Sequence, residues 1–504
     1  MTPITRSNGT DDADVVAERI SFAAPGPGGW QRLADHFPGA LTAEYQLLYA
    51  ETAPPAMAAM FERYGVLAGG MDVAYVNGHL YIAPVPLAGP REMKRTPQAG
   101  LVWLLARLHP AFRKRTAAAR RTLDTRPWRA AASRWFETER FEWQQTNDSL
   151  QSLDLAAMTV AELCEHLARC RRHVIGGYRR HFELHGDDLI PVGLLIVRCE
   201  EWGIAPAIAL RALDAPTPAA PASTATPSWQ LVTGYDLDAQ AWIELKHHDT
   251  PAVASAREPL DLASLVAEHE RPELLELVDD ARAASRLRDD NGLLTGAWPM
   301  GLLRRAMLES GHRLGFEDPS LAIEMTVAEL VTALNDPVGL DPAAIADRRD
   351  HRMRLSALDA PLTLGPSFPI PTLSALPRPL ALIGAAQLAA ADHMTSTTDG
   401  PVGVGSTSYT GRALVVDDPL TAFDLLEPGD IVITKFTSPS WNALLALAGA
   451  LVTTTGGLAC HAASIARELG LPTVIGDTTA FERFDTGDLL VVDPTAATVT
   501  HAVS

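Results

Sequence analysis

Thr453 to Asp477 reads TTTGGLACHAASIARELGLPTVIGD. With GALV (449–452) just before it, the segment predicts a strand that ends in two glycines and passes into a helix beginning around Cys460 or His461. Ala462, Ile465, Ala466 and Leu469 recur at three- and four-residue steps, which marks the buried face of that helix. Gly470 ends it and Pro472 follows, the usual order at a helix C-terminus. His461 therefore falls at a helix N-terminus, behind glycines that leave room for another molecule. Free amides and the helix dipole favour an anion there. Thr454 and Thr455 offer hydroxyls to phosphate oxygens, Gly456 and Gly457 give space, and Arg467 on the same helix helps balance charge. An imidazole with an ordinary pKa of about 6.5 is an available nucleophile at neutral pH. The pattern suits attack on phosphorus, storage as phosphohistidine and delivery elsewhere. A lone histidine here would read as a helix cap; the length of the string around it favours chemistry.

Outward from this stretch, GRALVV, DIVITKF, PTVIGD and DLLVVD are short β-rich runs between Gly, Pro and Asp, and they predict a compact α/β domain over residues 401–504. The proline-rich run at 360–379 marks a boundary, and 359–400 is expected to be a linker. Residues 21–358 show helical periodicity, as in VAELCEHLARCRRHVIGGYRRHFELHG, and predict a mainly helical substrate-binding domain. Thr159 and Thr326 each precede VAEL with Glu three residues on, the layout of a capping box. Asn77-Gly78 between alternating apolar residues predicts a hairpin. Residues 1–20 read as a disordered tail and 215–228, APTPAAPASTATPS, as a mobile loop. The fold class is multidomain α+β.

The string around His461 resembles the phosphohistidine signature of the phosphoenolpyruvate-utilising enzymes. His461 stands where that family's phosphoryl-carrying histidine stands, and Gly456, Gly457, Ala463, Ala466, Arg467, Glu468, Leu469, Gly470, Pro472 and Gly476 match around it. Val402–Gly405 through Gly411-Arg412-Ala413 is similar to the segment that opens the domain, with Ser406-Thr407-Ser408 where Ser-Pro-Gly is usual. Pro428-Gly429-Asp430 and Ser438-Pro439-Ser440-Trp441 also fit, whereas VDPTAATV near the end lacks the family's customary glycines. More diffusely, Phe37–Thr42, Asn77–Tyr81, Leu302–Glu309 and Thr326–Leu330 are similar to the helical, substrate-binding part of rifampicin phosphotransferases, with Ala43 departing from the usual proline. The resemblance implies a swivelling domain that carries phosphate on His461, and the proline-rich 360–379 stretch is expected to be the hinge on which it swings. No GxxxxGK[ST] loop occurs, residues 1–100 are too few and too lysine-poor for an ATP-grasp domain, and the residues after His461 leave no room for a barrel of about 250 residues. The donor, ATP with magnesium or phosphoenolpyruvate, is thus expected to act through a separate ATP-grasp protein, an arrangement known in the family. No tightly bound cofactor is expected, and the acceptor is a small molecule.

Candidate acceptor contacts lie in the helical region. Arg172 and His173 sit two helical turns from Arg180 and His181 and share a face with them, and Arg288, Arg304 and Arg305 are placed to build a polar pocket. Each of these also reads as a solvated face or an interhelical ion pair. His247-His248 has no spaced partner, so no metal site is assigned. The net charge of −19 over 504 residues argues against nucleic-acid binding. The longest apolar stretch, Ala443–Val452, falls short of the roughly 20 residues that span a bilayer. Four cysteines without a CxxC pair read as reduced thiols and, with no leader pattern at the N-terminus, suggest the cytoplasm. Two other readings stay open: a lyase or other acid–base enzyme reusing His461, and a non-catalytic binding subunit.

Overall fold

A computed structural model describes residues 20–502 apart from 35, 93–97, 212, 214–228, 230–231, 233–234, 245–261, 367–371, 396–399, 406, 418, 438–440 and 458–459. The expected tail (all but its last residue), the expected loop at 215–228 and His247-His248 lie outside the described residues.

The first region joins a small sheet to a helical body. Its strands are β1 (Trp30–Arg32), β2 (Gly70–Val76), β3 (His79–Val85) and β4 (Thr363–Leu364), in the order β2-β3-β1-β4. β2 and β3 form the expected hairpin, pairing Gly70 with Val85 through Val76 with His79. Asn77 and Gly78 turn it with φ of 50° and 78°, the left-handed pair that a two-residue turn of this hand requires. The helices are α1 (Ala43–Tyr64), α2 (Ala99–Leu108), α3 (Pro110–Thr125), α4 (Pro127–Arg134), α5 (Arg140–Gln151), α6 (Val160–Glu201), α7 (Pro206–Arg211), α8 (Arg271–Asn291), α9 (Trp298–Arg313), α10 (Val327–Asn335), α11 (Pro342–Ser356) and α12 (Arg378–Thr395). Short π-helical segments, Trp135–Glu139 and Gly292–Ala297, interrupt α4–α5 and α8–α9.

The 42-residue α6 is the axis of this body. Thr159 starts it with a full capping box, its hydroxyl accepting from Glu162 N (3.3 Å) while the Glu162 carboxylate accepts from Thr159 N (2.7 Å). Thr326 and Glu329 start α10 in the same way. The core beside α6 gathers Tyr45, Leu48, Leu163, Leu167, Trp298, Leu303 and Met307. Glycines on α6 admit neighbours closely: a Cβ on Gly186 would lie 2.3 Å from the Tyr64 ring, and one on Gly193 would lie 1.9 Å from the Ala386 carbonyl oxygen.

That last contact involves residues 359–400, the stretch expected to be a linker. Leu364 pairs with Trp30 in the sheet, and α12 buries Leu380, Ile383, Ala386 and Ala390 while packing on α6 and α3. Pro377 and Pro379 stand at the start of α12, where a missing N–H costs no helical hydrogen bond.

The last region is the expected α/β domain: β5 (Val402–Val404), β6 (Tyr409–Val415), α13 (Pro419–Leu425), β7 (Ile431–Thr434), α14 (Asn442–Leu445), β8 (Ala450–Thr453), α15 (His461–Leu469), β9 (Thr473–Ile475), α16 (Ala480–Arg483), β10 (Leu489–Asp493) and β11 (Thr498–His501). The sheet order is β11-β10-β6-β7-β8-β9-β5, with β6 to β9 parallel and the flanking pairs antiparallel. The central strands are covered on both faces, as parallel strands are. Ile431, Ile433 and Val452 pack with Val474 and Phe484 on one face, and Val432 and Leu451 with Leu444 and Ile465 on the other.

Candidate phosphoryl-carrier site

The ends of β7, β8 and β9 and the start of α15 meet at one edge of the parallel sheet, the edge where open α/β sheets place ligands. Cys460 is the N-cap and half-buried His461 the first residue of α15, and Gly470 ends the helix in the left-handed conformation with φ of 63°. Ala462, Ile465 and Ala466 are buried as the periodicity requires, and Ala463 joins them. Gly456 has φ of 107°, and a Cβ there would lie 2.9 Å from Cys460 Sγ. The glycine is therefore needed for both backbone shape and space.

The two threonines have a specific local role. Thr454 and Thr455 hydroxyls donate to the Lys435 carbonyl (3.2 and 2.8 Å), and Thr455 N donates to the same oxygen (2.9 Å). They tie the loop after β7 to the loop after β8. Lys435 pairs with Asp417 at 2.5 Å, and its ammonium lies 5.2 Å from the Phe481 ring centroid. Gly476 N and Asp477 N donate to the Thr453 carbonyl (2.8 and 3.0 Å), and buried Asp477 accepts from Arg483 (2.7 Å). Burial pushes the Cys460 thiol up, opposed by the Ala463 amide, the Arg467 charge and the Ala462 and Gly457 amides. Lys435, Asp477, Arg483 and the buried, unpartnered Thr437 hydroxyl were not singled out by the sequence reading. Lys435 is the sole lysine after residue 400, the one signal that pointed to its loop.

The matching family model is the mobile domain of PEP-utilising enzymes, over residues 426–497. The C-terminal domain resembles that mobile domain over these residues. Among similar proteins, the uncharacterised phosphotransferase YvkC of Bacillus subtilis is 34% identical over 174 residues, 34% of this chain and 20% of that protein. Phosphoenolpyruvate synthase of Escherichia coli is 40% identical over 89 residues, 18% of this chain and 11% of the synthase. Rifampicin phosphotransferase of Streptomyces sviceus is 45% identical over 95 residues, 19% of this chain and 10% of that enzyme. The chain therefore spans a fifth or less of each of these three relatives.

Away from the mobile domain, the candidate acceptor residues separate into two groups. Arg304 is buried, donating to Glu244 (2.8 and 2.9 Å) and the Leu237 carbonyl (2.6 Å). Arg305 donates to the Gln151 and Leu153 carbonyls, both at 2.7 Å. Arg180 grips Glu139 in the first π segment, and exposed Arg172 pairs with Glu165. His173 meets Asn147 at 2.8 Å beside Trp143, and burial holds its pKa down to about 4. Four of these side chains tie separate elements together, and Arg172 pairs within α6. His181 and Arg288 are both half-buried, and the His181 ring stands edge to face with that of His185. Among the described residues, no group of three or more His, Cys, Asp or Glu side chains is placed to hold a metal ion, and no helix is long and apolar enough to cross a membrane.

Proposed function

We propose that the chain is a phosphotransferase in which His461 carries the phosphoryl group to a small-molecule acceptor held by the helical region. The observation that carries this reading is His461 at the first position of α15 within a mobile domain of PEP-utilising enzymes. A ring nitrogen of His461 attacks the donor phosphorus, the donor's P–O bond breaks, and the domain moves the phosphoryl group to the acceptor. The amides of the first turn of α15 and nearby Arg467 offset the phosphoryl charge. The names of the relatives support phosphoryl transfer, and ATP or phosphoenolpyruvate enters as a substrate together with its magnesium. The donor step is assigned to a separate ATP-grasp protein, and the setting to the cytoplasm.

Mass spectrometry at alkaline pH tests this. The full chain is incubated with ATP or phosphoenolpyruvate, with and without the ATP-grasp protein encoded nearest its gene. The expected result is an acid-labile phosphate on the peptide containing His461, dependent on the partner and absent from His461→Asn. Absence of label with every donor rejects the carrier role.

A further inference from the structure

One short helix breaks the rule that large apolar side chains turn inward. On α2, Leu101 (51%), Trp103 (50%), Leu104 (45%) and Leu108 (66%) all stand exposed. Among the described residues, no other helix exposes more than one large apolar side chain. The buried residues of α2 are Val102 and Ala106, which gather with Ala375, Leu376 and Leu380. Leu101, Leu104 and Leu108 follow three- and four-residue steps, so they form one stripe that faces away from that contact. Trp103 flanks the stripe and is fixed in place. The Arg107 guanidinium lies 4.2 Å from its ring centroid and donates to the Ala375 carbonyl (3.2 Å). Single exposed leucines are ordinary on a surface, whereas a contiguous stripe beside a tryptophan marks a docking face.

Charge indicates what docks. The chain has 61 acidic residues and a net charge of −19, yet Ala99 to Leu123 contains six basic residues and no acidic one. His109 is both the C-cap of α2 and the N-cap of α3, so Leu108 and Arg113 stand close on either side of one bend. Arg113, Arg120 and Arg121 are exposed on α3, and Arg115 is buried on its other face. Lys114 pairs with Glu62, whereas Arg113, Arg120 and Arg121 have no ion-pair partner among the described residues. A protein partner presents charges of both signs arranged to match its target. Leucines and a tryptophan bordered by charge of one sign instead fit a surface that is uniformly anionic outside and apolar beneath, as a bilayer of acidic lipids is. The ten residues of α2 span about 15 Å, half the hydrocarbon thickness, so the helix lies on such a surface and does not cross it. The acidity of the rest of the chain is screened beyond about 10 Å in 0.1 M salt, and it turns this face toward the lipid.

We infer that α2 and the exposed face of α3 dock the chain on an anionic membrane surface. Leu101, Leu104 and Leu108 enter the boundary between headgroups and acyl chains, Trp103 sits among the headgroups, and Arg113, Arg120 and Arg121 meet lipid phosphates. The inference does not rest on the phosphotransfer reading.

Flotation of the full chain with vesicles tests it. Vesicles of phosphatidylcholine mixed with phosphatidylglycerol are compared with phosphatidylcholine alone in about 0.1 M salt. The chain is expected to favour the anionic vesicles by about tenfold or more, and to leave them near 1 M salt. Leu104→Asp combined with Leu108→Asp abolishes flotation; both side chains are exposed, so thermal unfolding stays at the wild-type temperature. Arg113→Gln, Arg120→Gln and Arg121→Gln each weaken binding by about fivefold. Anionic vesicles shift tryptophan emission to the blue, and Trp103→Phe removes that shift. No flotation with the anionic vesicles, equal flotation with phosphatidylcholine alone, or flotation that survives in the double leucine variant overturns the inference. Absence of flotation with protection of the α2 amides by the added ATP-grasp protein assigns the face to a protein partner and overturns it too. Label on His461, with or without vesicles, bears on the carrier role alone.

Discussion

The mobile domain and the helical region handle polar groups by opposite means. In the mobile domain the backbone holds the loops: glycines clear a space, a helix starts, and the Lys435 carbonyl gathers the Thr454 and Thr455 hydroxyls. In the helical region side chains bind one another across long sequence separations, as Arg304 does with Glu244 and His173 with Asn147. A backbone site is written locally in residue types, whereas a side-chain network exists only once distant elements have met. The difference predicts where substitutions act and on what.

The sharpest separation is chemical. His461→Asn is expected to remove all acid-labile label, a loss beyond a thousandfold, while His185→Gln in the helical region leaves labelling at wild-type level; mass spectrometry of the His461 peptide reads both. Next comes packing. Gly193→Ala drives a methyl into the Ala386 carbonyl, backbone against backbone, and is expected to cost about 3 kcal/mol. Hydrogen exchange then rises in α6 and α12 while β6 to β9 keep their protection.

Acid sharpens the contrast further. Burial lowers the pKa of His173 to about 4 and that of His181 well below its ordinary value. The unfolded chain binds protons on these rings from about pH 6.5 downward while the native chain does not. Stability from this source is complete above pH 6.5 and falls as pH drops toward 4, by about 1.4 kcal/mol per pH unit for His173. His173→Gln flattens its share of the slope, seen by thermal unfolding from pH 7 to 4.5. The smallest effects should be alike in the two regions: Gly470→Ala at the left-handed cap and Thr326→Ala at the capping box each cost about 1 kcal/mol. Unequal losses in denaturant unfolding followed by hydrogen exchange would show that one helix end bears more of its region's stability.

Legibility follows the same division. The hairpin at 70–85, both capping boxes and the whole of α15 were readable because each is specified within a few residues. The proline-rich run reads as a boundary, while Leu380, Ile383, Ala386 and Ala390 carry a helical stripe in RPLALIGAAQLAAADH, and Leu364 needs Trp30 to become a strand. The partners of Arg304 and Arg305, Glu244 and the carbonyls of Leu237, Gln151 and Leu153, are sixty or more residues away in sequence and were out of reach of a local reading. His185 and Asp188 are three residues apart, so their pairing was within reach of the sequence, but the contact of His181 with Asn291 spans 110 residues and was not.

The Lys435 loop has a practical consequence. The chain contains four lysines, Lys94, Lys114, Lys246 and Lys435, against 42 basic residues in all. An amine-reactive reagent therefore meets a single side-chain amine in the mobile domain, on the residue whose carbonyl holds Thr454 and Thr455 and whose ammonium is paired with Asp417. Isotope-coded acylation, followed peptide by peptide, turns that scarcity into a built-in reporter. Its rate at Lys435, set against the rate at Lys114, gives a clock for every event that rearranges the loop beside His461, with no dye attached and no residue changed.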